Sequence, residues 1–354
     1  MIRLLTAVLL MSACTVPCNA TESESVSLKY RSYRNWTIQL PNEKWFAVKD
    51  GINIPHADGD AFAVAMEGND LRLDTNGDGE LDRNIKAIAD SKPGASTTRV
   101  ILSGKTKAGE PLRYAVRLRS DVKGWQWAPG GAWAGSISTD AGPVPIRIID
   151  QDGNGQFNDV GSDAMIVGTN DHATLLSRVI YVGDSLQNIE ISNNGSSFSL
   201  SPFDGPTAEI DMTTTFNSKA SLISSIIVSD DNQYSFDVGA IVGPVKVPAA
   251  KYSVLRGLLG LGEQRVQISA GRMPPFELTP GNTKTFEWGG PIASEFEFAR
   301  SGGNIQFSAD RVWYYGKAGE QYLDWHPIGK SPEFRVMDAD TGKLIEVAVL
   351  PGSC

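Results

Sequence analysis

One pattern constrains this chain more than any other. Short runs of alternating apolar and polar residues recur along it, separated by Gly, Asn, Asp and Pro. Residues 36–40, 98–102, 114–118 and 144–148 all read this way. Alternation sends successive side chains to opposite faces, so each run predicts a half-buried strand. The separators tolerate or impose turn dihedrals. With 36 glycines and 19 prolines spread evenly, the chain predicts many tight turns and no long linker. Helical periodicity is confined to two short candidates, 83–92 and 171–178. The expected fold class is mainly β: multiple antiparallel β-sandwich (Ig-like) domains with few short helices.

A chain of 354 residues can bury a large core. Its hydrophobic content of 41% and charged content of 21% are ordinary for a globular protein. The net charge of −9 argues against a nucleic-acid partner, which requires clustered Lys and Arg. No run after residue 20 reaches the roughly 18 apolar residues of a spanning helix, so no transmembrane span is expected in the mature chain.

Residues 1–20 read as an export signal: Arg3 at the start, an apolar stretch from Leu4 to Ala13, then small residues. Two cleavages fit. One follows Ala20. The other precedes Cys14, because Leu10-Met11-Ser12-Ala13-Cys14 resembles a bacterial lipobox, and implies a lipoprotein signal over 1–13 with a lipid anchor at Cys14. The second cleavage would retain Cys18 beside Cys354, a pair an oxidising compartment permits to bridge. Either reading makes the protein exported: periplasmic, outer-membrane-associated or extracellular.

Domain boundaries are weakly marked. A Ser/Asn/Gly-rich connector at 192–206 and Pro/Gly-rich turns near 275–292 suggest an N-terminal β domain over 21–200. An Ig-like sandwich over 201–290 would follow, with a C-terminal β region over 291–354, separate or continuous with it. Residues 247–254, Val-Pro-Ala-Ala-Lys-Tyr-Ser-Val, resemble the turn and outgoing strand of transthyretin-like and carboxypeptidase-regulatory-like Ig folds. That resemblance implies fold only.

Two acidic loops carry the chemistry. Loop one runs Asp74-Thr75-Asn76-Gly77-Asp78-Gly79-Glu80-Leu81-Asp82. Loop two runs Asp150-Gln151-Asp152-Gly153-Asn154-Gly155-Gln156-Phe157-Asn158-Asp159. Each follows a β-type run and places oxygen side chains at positions one, three, five and nine, with Gly at six. A tightly curled loop aims such alternate side chains at one point, and Ca²⁺ takes six to eight oxygens. The expected ligands in loop one are Asp74, Asn76, Asp78, the Glu80 carbonyl and Asp82. In loop two they are Asp150, Asp152, Asn154, the Gln156 carbonyl and Asn158 or Asp159, with Asp163 closing the cage. The loops resemble those of dockerins, thrombospondin type 3 repeats and integrin-type propellers, and the first nine positions of an EF-hand. Position twelve holds Ile85 and Gly161 rather than the EF-hand Glu. The resemblance implies structural calcium in a β context. Removing Asp74 and Asp150 together is expected to erase calcium-dependent stability and to change metal-free stability little or even raise it. The acidic turns at 230–232 and 338–343 lack the spacing and read as plain turns.

Catalytic motifs are missing: no Gly-x-Ser-x-Gly elbow, no His-Glu-x-x-His helix and no phosphate-binding glycine loop. No catalytic residue is assigned. His56, His172 and His326 read as surface or packing residues. Trp125, Trp127 and Trp133 crowd one stretch and read either as core or as a platform for a glycan. The expectation is therefore a non-catalytic calcium-binding envelope protein, whose partners are calcium ions and either a glycan or an envelope protein. A carbohydrate-binding module is the alternative, and a hydrolase assembled from distant residues is a weaker one.

Overall fold

The computed structural model describes residues 24–49, 51–87, 97–121, 124–302, 304–323 and 333–349. The export signal, Cys14, Cys18, Cys354 and His326 lie outside them. Every regular element among the described residues is a β-strand. Strands pair antiparallel in several sheets, with one parallel pair, Thr207–Asp211 beside Thr283–Thr285. The mainly β, sandwich-like expectation holds.

Among the described residues neither short helix forms; residues 88–92 of the first lie outside them. Within 83–92, Arg83–Ile85 is a strand pairing with Asp70–Leu73, because Leu71 and Ile85 face the same core across that pair. Within 171–178, Thr174–Leu175 extends a sheet beside Ala164–Val167, and Ala173, Leu175 and Leu176 are buried. The connector expected at 192–206 contains the strand Ser197–Pro202, which sits between Glu24–Ser27 and Ser185–Ile191.

Two apolar clusters organise the molecule. The first gathers Ile52, Ile54, Phe62, Leu71, Tyr114, Trp127, Ile148 and Phe157, among others. Four sheets meet there: Asp70–Leu73 with its two partners, the sheet built on Pro111–Asp121, the sheet built on Val144–Ile149, and the sheet of Val179–Val182, Ser185–Ile191 and Ser197–Pro202. The second collects Ile210, Val247, Tyr252, Ile268 and Trp288, and includes Val179 and Leu186 from the 179–191 hairpin. An eight-stranded sheet runs from Ser235–Asp237 through Ser221–Ser229 and Lys251–Leu261 to Ala293–Ser301. The turn at Ala249-Ala250 leads into Lys251–Leu261, and the buried Tyr252 hydroxyl donates to the Pro248 carbonyl at 2.9 Å.

The two acidic loops are both hairpin connections. Loop one joins Asp70–Leu73 to Arg83–Ile85, with Leu73 opposite Arg83. Loop two joins Val144–Ile149 to Ala164–Val167, with Ile149 opposite Ala164. In each, the last paired residues are followed by an Asp that opens the loop.

Candidate metal centre

Loop two is shaped by its first residue. Asp150 is buried, and its Oδ1 accepts from the Gly153 N–H at 2.7 Å and the Asn154 N–H at 3.1 Å. Its Oδ2 accepts from the Gly155 N–H at 2.7 Å and the Tyr114 hydroxyl at 2.8 Å. A loop can wrap this tightly around one carboxylate because Gly153 and Gly155 adopt φ of +71° and +84°. A side chain at Gly153 would also collide with Phe46 and Trp127, so the core presses against the back of the loop.

Pairing of Ile149 with Ala164 brings Asp163 back beside Asp150. Asp163 is fully buried; its Oδ1 accepts from the Gln151 N–H at 3.1 Å and its Oδ2 from the Asp159 N–H at 2.9 Å. Asp152 completes the group: one carboxylate oxygen from each of Asp150, Asp152 and Asp163 lies within 4.8 Å of the others. Among the described residues no other three acidic, His or Cys side chains converge in this way.

Three carboxylates in so dry a place resist ionisation. Burial, then the charge of Asp150, pushes the Asp163 carboxyl up to about 9, against the opposing Asp159 N–H. Burial pushes Asp150 up to about 7, while the Tyr114 hydroxyl and the Gly155 N–H pull the other way. Asp152 is also raised, first by burial and then by the charge of Asp159. A cation at this point would reverse each of these shifts.

Two acceptors in the same loop lack donors. Asp152 Oδ1 and Asn158 Oδ1 are buried with no hydrogen-bond partner. Unsatisfied buried oxygens are uncommon and costly. These two belong to positions three and nine, where calcium loops supply ligands. The donor set is all oxygen, which suits a hard divalent cation. Asn154 Oδ1 accepts from the Gln156 N–H at 2.7 Å while its amide donates to Asp159 Oδ2 at 2.7 Å. Asn158 donates to Asn193 Oδ1 at 2.9 Å, which fixes its amide.

Loop one repeats the same scaffold. Asp74, also buried, accepts from the Gly77 N–H at 2.7 Å, the Asn76 N–H at 3.0 Å and the Gly79 N–H at 2.9 Å. Asp78 Oδ1 accepts from the Glu80 N–H at 2.8 Å, the counterpart of the Gln156-to-Asn154 bond. The rest of the loop differs. Asn76, Asp78, Glu80 and Asp82 are exposed, and the Asn76 amide donates to Asp78 Oδ2 at 2.8 Å. Asp82 turns to Thr75, accepting from its N–H at 2.9 Å and its hydroxyl at 2.7 Å.

The two loops flank one segment. An added Cβ at Gly77 would lie 2.8 Å from His56 Cδ2, and one at Gly155 would lie 3.2 Å from Pro55 Cδ. His56 is buried and stacks on Phe62 with ring centroids 4.4 Å apart, so it is a packing residue. His172 is half-buried, and burial lowers its proton affinity.

The tryptophans form no exposed platform. Trp127 is 1% exposed and tilts against Phe46, while Trp125 is 7% exposed and donates to the Asn69 carbonyl at 2.9 Å. Trp133 packs edge-on against Tyr30 and Phe157. Their side chains carry the largest apolar area in this stretch, and the core takes it. The acidic turns behave as expected: Asp338 accepts from the Thr341 N–H at 2.7 Å within a hairpin, and Asn232 takes a left-handed φ of +58°. Sequence reading missed Tyr114 as a partner of Asp150, because 36 residues separate them.

No protein-family model, no curated protein and no solved structure matches this chain.

Proposed function

We propose that this chain is an exported, non-catalytic calcium-binding β-sandwich protein of the bacterial cell envelope, with calcium as a structural ion. The observation that carries the reading is the convergence of Asp150, Asp152 and Asp163 in a dry hairpin loop that also holds two orphaned acceptor oxygens. Asp150, Asp152, Asp163 and Asn158 supply the first ligands, with Asn154, the Gln156 carbonyl and Asp159 completing the shell. Binding to the folded state alone adds stability in proportion to the logarithm of free calcium. Loop one is the second and weaker site: its scaffold matches, but its outer oxygens face solvent, where water competes for the ion. The envelope location rests on the N-terminal sequence, and a millimolar-calcium environment would fill even a modest site.

Thermal unfolding of the mature protein with excess calcium, excess magnesium or a chelator tests this. Calcium is expected to raise the midpoint and magnesium to do so much less, since Mg²⁺ demands a smaller octahedral shell. An identical midpoint in all three would reduce both loops to hairpin turns.

A further inference from the structure

A cavity lies where residues 38–43 meet the strands Lys251–Leu261 and Gln264–Ser269. Its volume is about 330 Å³. Gln39, Glu43, Arg256, Arg265 and Gln267 supply its polar lining. Arg256 is half-buried and donates to the Leu40 carbonyl at 2.9 Å. Arg265 donates to the carbonyls of Gly262 and Gln264 at 2.7 and 2.8 Å. Neither guanidinium forms an ion pair among the described residues. Both line the same cavity.

The one carboxylate on the rim is already engaged. Glu43 Oε1 accepts from Arg117 Nη2 at 2.6 Å, and Arg117 lies over Trp36 at 4.2 Å. Arg119 lies over Trp45 at 4.0 Å beside it. Arg256 and Arg265 therefore share this cavity with a single glutamate that Arg117 already engages, in a chain whose net charge is −9. The charge of Glu43 also reaches Arg256, so Arg117 and Arg256 share one carboxylate, and an incoming anion would supply the second negative charge. Planar guanidinium groups match carboxylate and phosphate oxygens, and the amides of Gln39 and Gln267 suit hydroxyl groups.

We infer that this cavity binds a small organic oxyanion, a carboxylate or phosphate carried on a hydroxylated body, between Arg256 and Arg265. The site is independent of the calcium loops. Calorimetric titration of the calcium-loaded protein with glucuronate and with glucose 6-phosphate, against glucose as the neutral control, tests it and separates the two anion classes. At least one anion is expected to bind more tightly than glucose, and to weaken at least tenfold in Arg256→Gln and in Arg265→Gln. Arg265 is exposed, so its variant keeps the test decisive if Arg256→Gln disturbs the fold. Equal weak binding of all three ligands would overturn the inference, as would wild-type affinity in Arg265→Gln.

Discussion

Asp82 and Asp163 occupy the same place in two hairpins, yet one faces water and the other is sealed in the core. Asp82 precedes Arg83, which pairs with Leu73; Asp163 precedes Ala164, which pairs with Ile149. Each carboxylate accepts from the N–H at loop position two, Thr75 at 2.9 Å and Gln151 at 3.1 Å. The difference is the length of chain between. Loop two has five more residues, and Phe157 within it packs on Tyr30, Tyr114 and Trp133, closing the loop over its own acids. The shorter loop one has no such cover.

That contrast sets the first prediction. Asp163→Asn should abolish the calcium-dependent rise in midpoint at low calcium. Asp82→Asn should retain it and cost about 1 kcal/mol for one weakened acceptor. Calorimetric unfolding across a calcium series reads both.

The metal-free protein should lose stability as pH rises. Asp150 and Asp163 have folded pKa values of about 7 and 9, above the ordinary 3.8. Between the ordinary range and about 9 the fold therefore holds more protons than the unfolded chain, so unfolding free energy falls with pH across that window. Calcium should flatten or invert the trend, because it requires the ionised carboxylates. Denaturant midpoints at pH 5 and pH 8.5, with and without chelator, check the sign.

Removing the opening carboxylates should cost more than loop spacing suggests. Asp74 and Asp150 each accept three backbone N–H bonds, and Asp150 a fourth bond from Tyr114. The expectation of a little-changed or raised metal-free stability in the double variant is revised accordingly. Asp150→Ala should destabilise the chelated protein by about 2–4 kcal/mol, several unsatisfied N–H groups at roughly 1 kcal/mol each. Urea titration under chelator measures it.

Two glycines of loop one should respond differently to alanine. Both have positive φ, +76° at Gly77 and +85° at Gly79. Only Gly77 is blocked, by the His56 ring; Gly79 faces open space. Gly79→Ala should cost about 1 kcal/mol, from the backbone alone, and Gly77→Ala about 2–3 kcal/mol. Equal losses would show that contact with His56 contributes nothing.

Trp127→Ala should destabilise by about 3–5 kcal/mol, as expected for deleting a buried indole. Soluble glycans should leave tryptophan emission unchanged in the wild type, because Trp125 and Trp127 are buried. Quenching by a glycan would locate a sugar site elsewhere.

Much of this architecture follows from neighbours in the chain. Alternation at 144–148 becomes the strand Val144–Ile149, and Asp-x-Asn-Gly-Asp-Gly becomes a loop wrapped on Asp74, since both effects act over a few residues. The two helix candidates failed because their apolar residues are claimed by the neighbouring strands Asp70–Leu73 and Ala164–Val167 and the core behind them, and sheet pairing overrides a weak local periodicity.

The composition of each loop, its turn glycines and its oxygen spacing are local properties, so reading residues in order was enough to find them. Which loop concentrates charge in a dry place was decided by packing. Phe157, Tyr114, Trp127 and Phe46 come from separate strands and loops, and together they exclude water from Asp150 and Asp163. Spacing places oxygens at a point. Only the surrounding core sets how much solvent that point keeps, and hence how strongly its carboxylates call for a cation.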